Sequence, residues 1–315
     1  MPRLLIINDI HFASYERYPS SRKSSYLDEI SEKINDCRTI AANNYCDYTI
    51  ITGDIFHYPR SNAITHSLVS KVISLLKNWP TPIYAIAGNH DLSEAGYRAV
   101  DKQPVYVLQE SGCLLLLHQQ GLWLNDNETY VLFYSYDDNN LDKYKQKRPA
   151  NCRNFVLVCH DMLMPSGNFP FGFISHEEAA ATSDYNAVIY GHVHWDMGVS
   201  ISRQTKFISA GSLSRVARTE ENIKRKIRVA IADISNGQIG IEFHILPSQK
   251  PAEEIFVVPA QTKMDNPDFA QYVKSLSEKQ IQGVDLRSYI LQMNLDEDIA
   301  NKIAFYLFDE INLNG

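Results

Sequence analysis

Asp9 and His11 are separated by one residue, and Gly53-Asp54, Gly88-Asn89-His90-Asp91, His160 and Gly191-His192-Val193-His194 follow in that order. Imidazole and carboxylate are ligands of borderline and hard divalent metals. In an extended chain Asp9 and His11 point to the same side, and so do His192 and His194. With Asp54, Asn89 and His160 the set holds seven candidate ligands, too many for one ion and suited to two that share a bridging carboxylate. Two ions roughly 3.5–4 Å apart can polarise a phosphoryl group and generate a hydroxide nucleophile. Taken singly, each motif has a plain reading: Gly-Asp after a strand is usually a turn, and Asp-x-His or His-x-His is usually structural. It is their joint order, each after an apolar run, that points to metal chemistry.

Those apolar runs are the elements that must position the ligands. Residues 4–7, 48–52, 83–87, 155–159, 187–190 and 206–209 each have the length and composition of a buried strand. Leu27, Ile30, Ile34, Cys37 and Ile40 recur at helical spacing between the first two, and Ile64, Leu68, Val72, Leu75 and Leu76 between the next two. The first third therefore reads as a parallel β-α-β-α-β unit. Residues 113–119, 121–124 and 129–134 read as short strands of a second, more antiparallel sheet. The expected architecture is α/β, two sheets sandwiched between helices. In an α/β sheet the carboxyl ends of the strands share one edge, where ligands collect. Five of the ten histidines (His11, His90, His160, His192, His194) fall at such ends.

Pro, Ser, Gln and Lys interrupt the pattern at 247–252, which predicts a boundary between a domain of residues 1–246 and a small α+β domain of residues 253–315. Within the latter, strand (255–259), helix (267–279), strand (286–294) and helix (296–312) are expected. A length of 315 residues allows two domains, and 44% hydrophobic with 21% charged residues excludes wholesale disorder and fibrous repeats. A net charge of -7, from 30 basic and 37 acidic residues, excludes polyanion binding through bulk charge alone. Five cysteines without CxxC spacing fit reduced thiols. The run 4–7 is too short for a signal-peptide core, and no run reaches membrane-spanning length. A soluble cytoplasmic protein with no membrane association is expected.

The ordered set Asp9-x-His11, Gly53-Asp54, Gly88-Asn89-His90-Asp91, His160 and Gly191-His192-x-His194 resembles the calcineurin-like metallophosphoesterase superfamily over residues 1–245. The resemblance implies that Asp9, His11, Asp54 and His194 hold one divalent metal and that Asp54, Asn89, His160 and His192 hold the other. It implies a metal-bridging hydroxide as nucleophile, His90 as proton donor to the leaving oxygen, and Asp91 as the group that orients His90. The ions would be manganese, with iron or zinc also suited to mixed N/O ligands. Gly53-Asp54-Ile55-Phe56-His57 lacks the Asp-Arg-Gly of the protein serine/threonine phosphatases and is similar to the SbcD-type double-strand-break repair nucleases, in which a histidine at the position of His57 assists at the active site. That branch implies DNA as substrate, a C-terminal capping domain that holds DNA over the metals, a coiled-coil ABC ATPase of the SbcC type as partner, and a tendency to dimerise.

Basic residues cluster at Lys143, Lys145, Lys147, Arg148 and Arg153, and at Arg215, Arg218, Lys224, Arg225, Lys226 and Arg228. Of these, Arg215, Arg218, Lys224 and Arg225 follow the last histidine motif and are the candidate substrate contacts; the plain reading of such runs is a solvated face. Tyr18 to Lys23, rich in Tyr, Pro and Ser and with Arg17, Arg22 and Lys23 just after the first metal motif, is expected to form a mobile loop beside the active edge. His57 can equally be a helix-entry residue packing its ring. Two other functions share these ligands: a phosphodiesterase or pyrophosphatase for a small nucleotide, and a scaffold that has lost the chemistry. The intact His90 and complete ligand set speak against the scaffold.

Overall fold

The strand β1 (Arg3–Ile7) shows why the ligand-bearing segments are runs of apolar residues and do not alternate. Leu4 and Ile6 face the space between the two sheets, while Leu5 and Ile7 face the helices on the other side. A strand covered on both faces must be apolar throughout. The structure, a computed structural model, describes residues 1–14, 22–58, 64–137, 141–167, 172–216 and 218–257. These lie in one unit formed by Met1–Asn168 and Phe173–Val258, save Gly172, which the division places in the other.

In the first sheet β2 (Tyr48–Ile51), β3 (Ile83–Ala85) and the two-residue β4 (Leu115–Leu116) follow β1 in parallel. β13 (Arg228–Ser235) pairs antiparallel with the other side of β1, and β14 (Gln238–Ile245) forms that edge. The crossovers are α1 (Tyr26–Asn43) and α2 (His66–Leu76), with α3 (Pro104–Glu110) before β4. Ser25 and Thr65 cap the first two, each accepting from a first-turn N–H, that of Asp28 and of Leu68. Each such cap is worth about 1 kcal/mol. Ile30, Ile34, Cys37, Leu68, Val72 and Leu76 pack on the helix-facing side of the sheet, as the spacing predicts.

The second sheet has the order β11-β12-β10-β7-β6-β5. β6 (Thr129–Tyr134), β7 (Asn154–His160), β10 (Ala187–Gly191) and β12 (Thr205–Ser209) run parallel. β5 (Gln120–Trp123) and β11 (Gly198–Ser202) pair antiparallel at the two edges. Val131, Phe133, Val156, Val158 and Ile189 meet Leu4, Ile6 and Ile50 of the first sheet in the sandwich core. The pair β8 (Leu163–Met164) and β9 (Ile174–Ser175) leads into α4 (His176–Ala181), whose His176 ring stacks on Phe207 at 4.2 Å.

Two expectations are corrected. The segment 113–119 does not join an antiparallel second sheet: it supplies β4 to the first, and the second sheet is parallel at its centre. Burial on both faces explains this, because β6 and β7 are as apolar as the strands of the first sheet. The strand expected from residue 255 is preceded by the short helix α6 (Ala252–Ile255), which starts after Pro251 and carries Glu253 and Glu254 in its first turn. Ala252, Ile255 and Phe256 pack on Ile223 of α5 (Glu220–Lys224), and Phe256 bridges to Arg22. The remaining elements expected after residue 257, and the loop expected at residues 18–23 apart from Arg22 and Lys23, lie outside the described residues. Arg22 itself is buried, its guanidinium paired with Glu29. Among the described residues no helix is long and apolar enough to cross a membrane.

Candidate metal centre

At the carboxyl ends of β1, β2 and β10 the backbone turns sharply enough that Asp9 (φ 43°), His11 (φ 55°), Asp54 (φ 48°) and His192 (φ 86°) all adopt left-handed conformations. Such conformations are costly for residues with a Cβ and persist where surrounding structure enforces them, often at functional sites. The enforcement here is a set of cross-links between strand ends. His11 N–H donates to Asp54 O at 2.8 Å, Phe12 N–H to Ile55 O at 2.8 Å, and His57 N–H to Phe12 O at 3.0 Å. Asn8 donates through Nδ2 to Thr52 Oγ1 (2.9 Å) and to Tyr190 O (2.8 Å), tying three strand ends from both sheets. Gly88 is required by close approach, since any Cβ there would collide with the Asp54 carboxylate.

The seven predicted ligands converge from both sheets. Two groups emerge that share Asp54: Asp9, His11, Asp54 and His194, and Asp54, His160 and His192. Asn89 completes the second, its Oδ1 lying 3.0 Å from His160 Nε2 and 2.9 Å from His192 Nδ1. In the first, His11 Nε2 and His194 Nε2 are 2.8 Å apart. Asp54 Oδ1 accepts from His90 N–H at 2.8 Å, whereas its Oδ2 lies between the groups, 3.3 Å from His160 Nε2 and 3.6 Å from His11 Nε2. Asp9 Oδ1 accepts from His192 N–H at 2.8 Å.

The buried oxygens Asp9 Oδ2 and Asp54 Oδ2 make no hydrogen bond. A buried carboxylate oxygen without a donor is expensive unless a cation meets it. His160 Nδ1–H donates to Thr52 O at 2.7 Å, so Nε2 is the nitrogen that faces Asp54. Burial and neighbouring histidines hold His11 well below its ordinary pKa and bring His192 and His194 down to about 3, leaving these imidazoles neutral. Burial, with Asp54 close by, pushes Asp9 up to about 7. For His160, burial is outweighed by the attraction of Asp54 and Asp9, which raise it to about 9. Burial is likewise outweighed at Asp54, which His160 and His90 hold well below the usual carboxylate range. Orphan oxygens, neutral imidazoles and crowded carboxyls are the donor set that divalent cations fit.

His90 sits half-exposed at the mouth, its Nδ1–H held by His57 O at 2.7 Å, so Nε2 is the nitrogen left for a substrate. The His57 ring stacks parallel to that of His90 at 5.3 Å and brings its Nδ1 to 3.3 Å from His11 Nδ1. Asp91 does not orient His90. Its carboxylate accepts from the N–H groups of Phe56 (2.9 Å), Ile55 (3.0 Å) and Gly88 (3.0 Å), clamping the loops after β2 and β3 together. The residue that fixes His90 is His57, through its carbonyl.

The candidate substrate contacts divide. Arg218 and Lys224 are exposed. Arg215 is only 2% exposed and donates to the carbonyls of Lys250 and Arg225. Arg225 is 9% exposed and donates to those of Ser212 and Ser214. Guanidiniums spent on main-chain carbonyls brace the chain and cannot track a polyanion, which corrects the reading of these two. In the earlier basic run Lys143 is buried against Asp161, and Lys145, Lys147 and Arg153 pair with Asp142, Asp184 and Glu128. Three contributors escaped the sequence reading: Asn8, Thr52 and Tyr136, whose ring lies 6.1 Å from that of His160 and 5.9 Å from that of His192. Only Asn8 carried a signal, as the polar residue ending an apolar run.

Clustered imidazoles and carboxylates at the strand-end edge of a two-sheet sandwich define a metal-dependent phosphoesterase. The chain belongs to the calcineurin-like phosphoesterase family, whose model matches residues 2–196. It is similar to the DNA double-strand break repair protein Mre11 of Sulfolobus acidocaldarius, at 23% identity over 231 residues, which cover 71% of this chain and 56% of that protein. The protein of the same name from Thermoplasma acidophilum is 25% identical over 293 residues, covering 86% of this chain and 70% of its own. A solved structure from Thermus thermophilus superposes with a TM-score of 0.49 at 10% identity, over 78% of this chain and 99% of that one.

Proposed function

We propose that this phosphoesterase is a two-metal DNA nuclease of the SbcD type, cleaving phosphodiester bonds as exonuclease and endonuclease. The observation that carries the reading is Asp54 Oδ2, a buried oxygen without a hydrogen-bond partner that lies between two ligand groups. DNA as the substrate is supported by the two relatives named for double-strand break repair. Asp9, His11, Asp54 and His194 would hold one ion, and Asp54, Asn89, His160 and His192 the other, with manganese as the metal. Divalent ions in these places lower the pKa of water and polarise the phosphoryl oxygens. The chain's own residues do the rest. His90, anchored through Nδ1–H, would carry a second proton on Nε2 in its acid form and give that proton to the leaving oxygen, returning to the neutral ring with Nδ1–H retained. The His57 carbonyl holds the ring orientation through Nδ1–H, and Asp91 keeps the loops of His57 and His90 in register. Arg218 and Lys224 remain as contacts for the phosphate backbone. Residues 253–315 act as the capping domain, and an SbcC-type ATPase, a second copy of the chain and a cytoplasmic location belong to the same reading.

Purified protein with manganese is to be assayed on linear duplex DNA, single-stranded DNA and bis-p-nitrophenyl phosphate side by side. Hydrolysis of the small diester together with DNA is expected. Turnover of a mononucleotide or cyclic dinucleotide with DNA left intact would replace this reading with that of a small-nucleotide phosphodiesterase.

A further inference from the structure

His160 is the last residue of β7, and the sheet supports it from one side only: the pairing with β6 ends at Cys159, while Gly191 of β10 still lies opposite His160. Val156 and Val158 face the sandwich core and His160 continues that side, so Cys159 and Asp161 fall on the opposite one. There a single helical turn, Leu141–Lys145, lies against them. Lys143 and Tyr144 are buried and both hold the buried Asp161: Lys143 Nζ donates to Oδ1 at 2.8 Å, and the Tyr144 hydroxyl donates to Oδ2. The same hydroxyl oxygen is 3.8 Å from Cys159 Sγ. The turn thus grips the residues on both sides of His160. It is itself anchored, because Tyr185 OH donates to Lys143 O at 2.7 Å and the Tyr185 ring packs at 4.3 Å on that of Phe155 in β7.

A buried ion pair adds little net stability, because the desolvation of both charges offsets their attraction. What it fixes is position. The main chain of His160 runs between the two gripped residues, so the clamp sets where Nε2 stands relative to Asp54 Oδ2 and Asn89 Oδ1, 3.3 and 3.0 Å away. The other ligand group is held from elsewhere in the chain. Tyr26 OH donates to His11 O at 2.9 Å, and Ser212 N–H donates to His194 O at 3.1 Å. Neither contact involves the turn Leu141–Lys145.

The structure assigns Lys143, Tyr144 and Asp161 as positioning residues for His160, a clamp that sets the affinity of the group Asp54, Asn89, His160 and His192 for its ion and acts on that group alone. This rests on the two-metal reading and adds to it that the two ions are supported from different parts of the chain, so that one can be lost without the other.

The test is manganese binding by the full-length protein, stripped of metal with EDTA and titrated by equilibrium dialysis, so that bound ions are counted without an activity assay. Lys143→Met should weaken one of the two binding events by about 10- to 100-fold and leave the other near its wild-type affinity. Tyr144→Phe, which removes one hydroxyl and keeps the ring, should act on the same event to a smaller degree, and it decides the question if Lys143→Met does not fold. The weakened event should be the one that His160→Asn abolishes. Adding Lys143→Met to His160→Asn should change metal binding no further, because the clamp acts through that ligand. Both events at wild-type affinity in the folded variants, equal weakening of both, or a further loss in the double variant would refute the clamp while the two-metal reading stands. A wild type that takes up a single ion overturns both.

Discussion

The strand-end cluster and the network around Glu29 both bury charge, and they differ in what is left unpaired. Around Glu29 the groups satisfy one another: Arg22 and Lys33 pair with its two oxygens, Lys33 also donates to Leu213 O at 3.1 Å, and Arg22 to Arg215 O at 2.6 Å. Among these groups only Arg215 Nε lacks an acceptor. The network ties α1 to the turn after β12 with standard backbone conformations. The strand-end cluster leaves carboxylate oxygens without a hydrogen-bond donor, brings two imidazole nitrogens to 2.8 Å of one another and holds four ligands in left-handed backbone. Burial with complete pairing marks a brace, and burial with converging unmet acceptors marks a binding site. Removing a residue from the first should cost stability, and from the second metal or turnover.

The largest expected effect lies at the mouth of the metal centre. His90→Asn should lower kcat by roughly 10²–10⁴ on bis-p-nitrophenyl phosphate while metal content stays at the wild-type level. Activity within a few fold of wild type would remove His90 as the proton donor.

In the brace, Glu29→Gln should cost about 3–5 kcal/mol, because it strands the buried charges of Arg22 and Lys33. Thermal melting measures the loss, and a midpoint equal to that of the wild type would contradict the assignment. The smaller effect is pH-dependent. Burial alone would raise the Glu29 pKa, but Lys33 and Arg22 outweigh it and hold it below 4.5. A carboxyl depressed in the folded state contributes stability that is present above its unfolded pKa and lost as the pH falls through the folded value. Acid unfolding of the wild type should therefore steepen below pH 4.5, and Glu29→Gln should lose that component.

The contrast also explains what the sequence reveals. Residues 4–7, 48–52, 155–159 and 187–190 are legible as strands because burial on both faces forces unbroken apolar runs, and the ligands are legible because each run ends in them. The destination of the 113–119 segment is not, because β4 contributes only two residues and its partner is chosen by the sheet. Arg215 and Arg225 look like surface charge in a basic run; their acceptors are carbonyls that only the fold brings near. Asp91 reads as a partner for its neighbour His90, yet it accepts from residues 55 and 56, reached through the turn at Gly88. Local pattern identifies which residues are polar at a strand end, and tertiary pairing decides which of them stay unmet.

The central claim is that Asp54 serves both ligand groups. Elemental analysis of wild type and Asp54→Asn after saturation with manganese and gel filtration tests it most directly. The account predicts two ions per chain in the wild type and loss from both groups in the variant, leaving less than one. A single ion in the wild type, or one ion fully retained in Asp54→Asn, would contradict it.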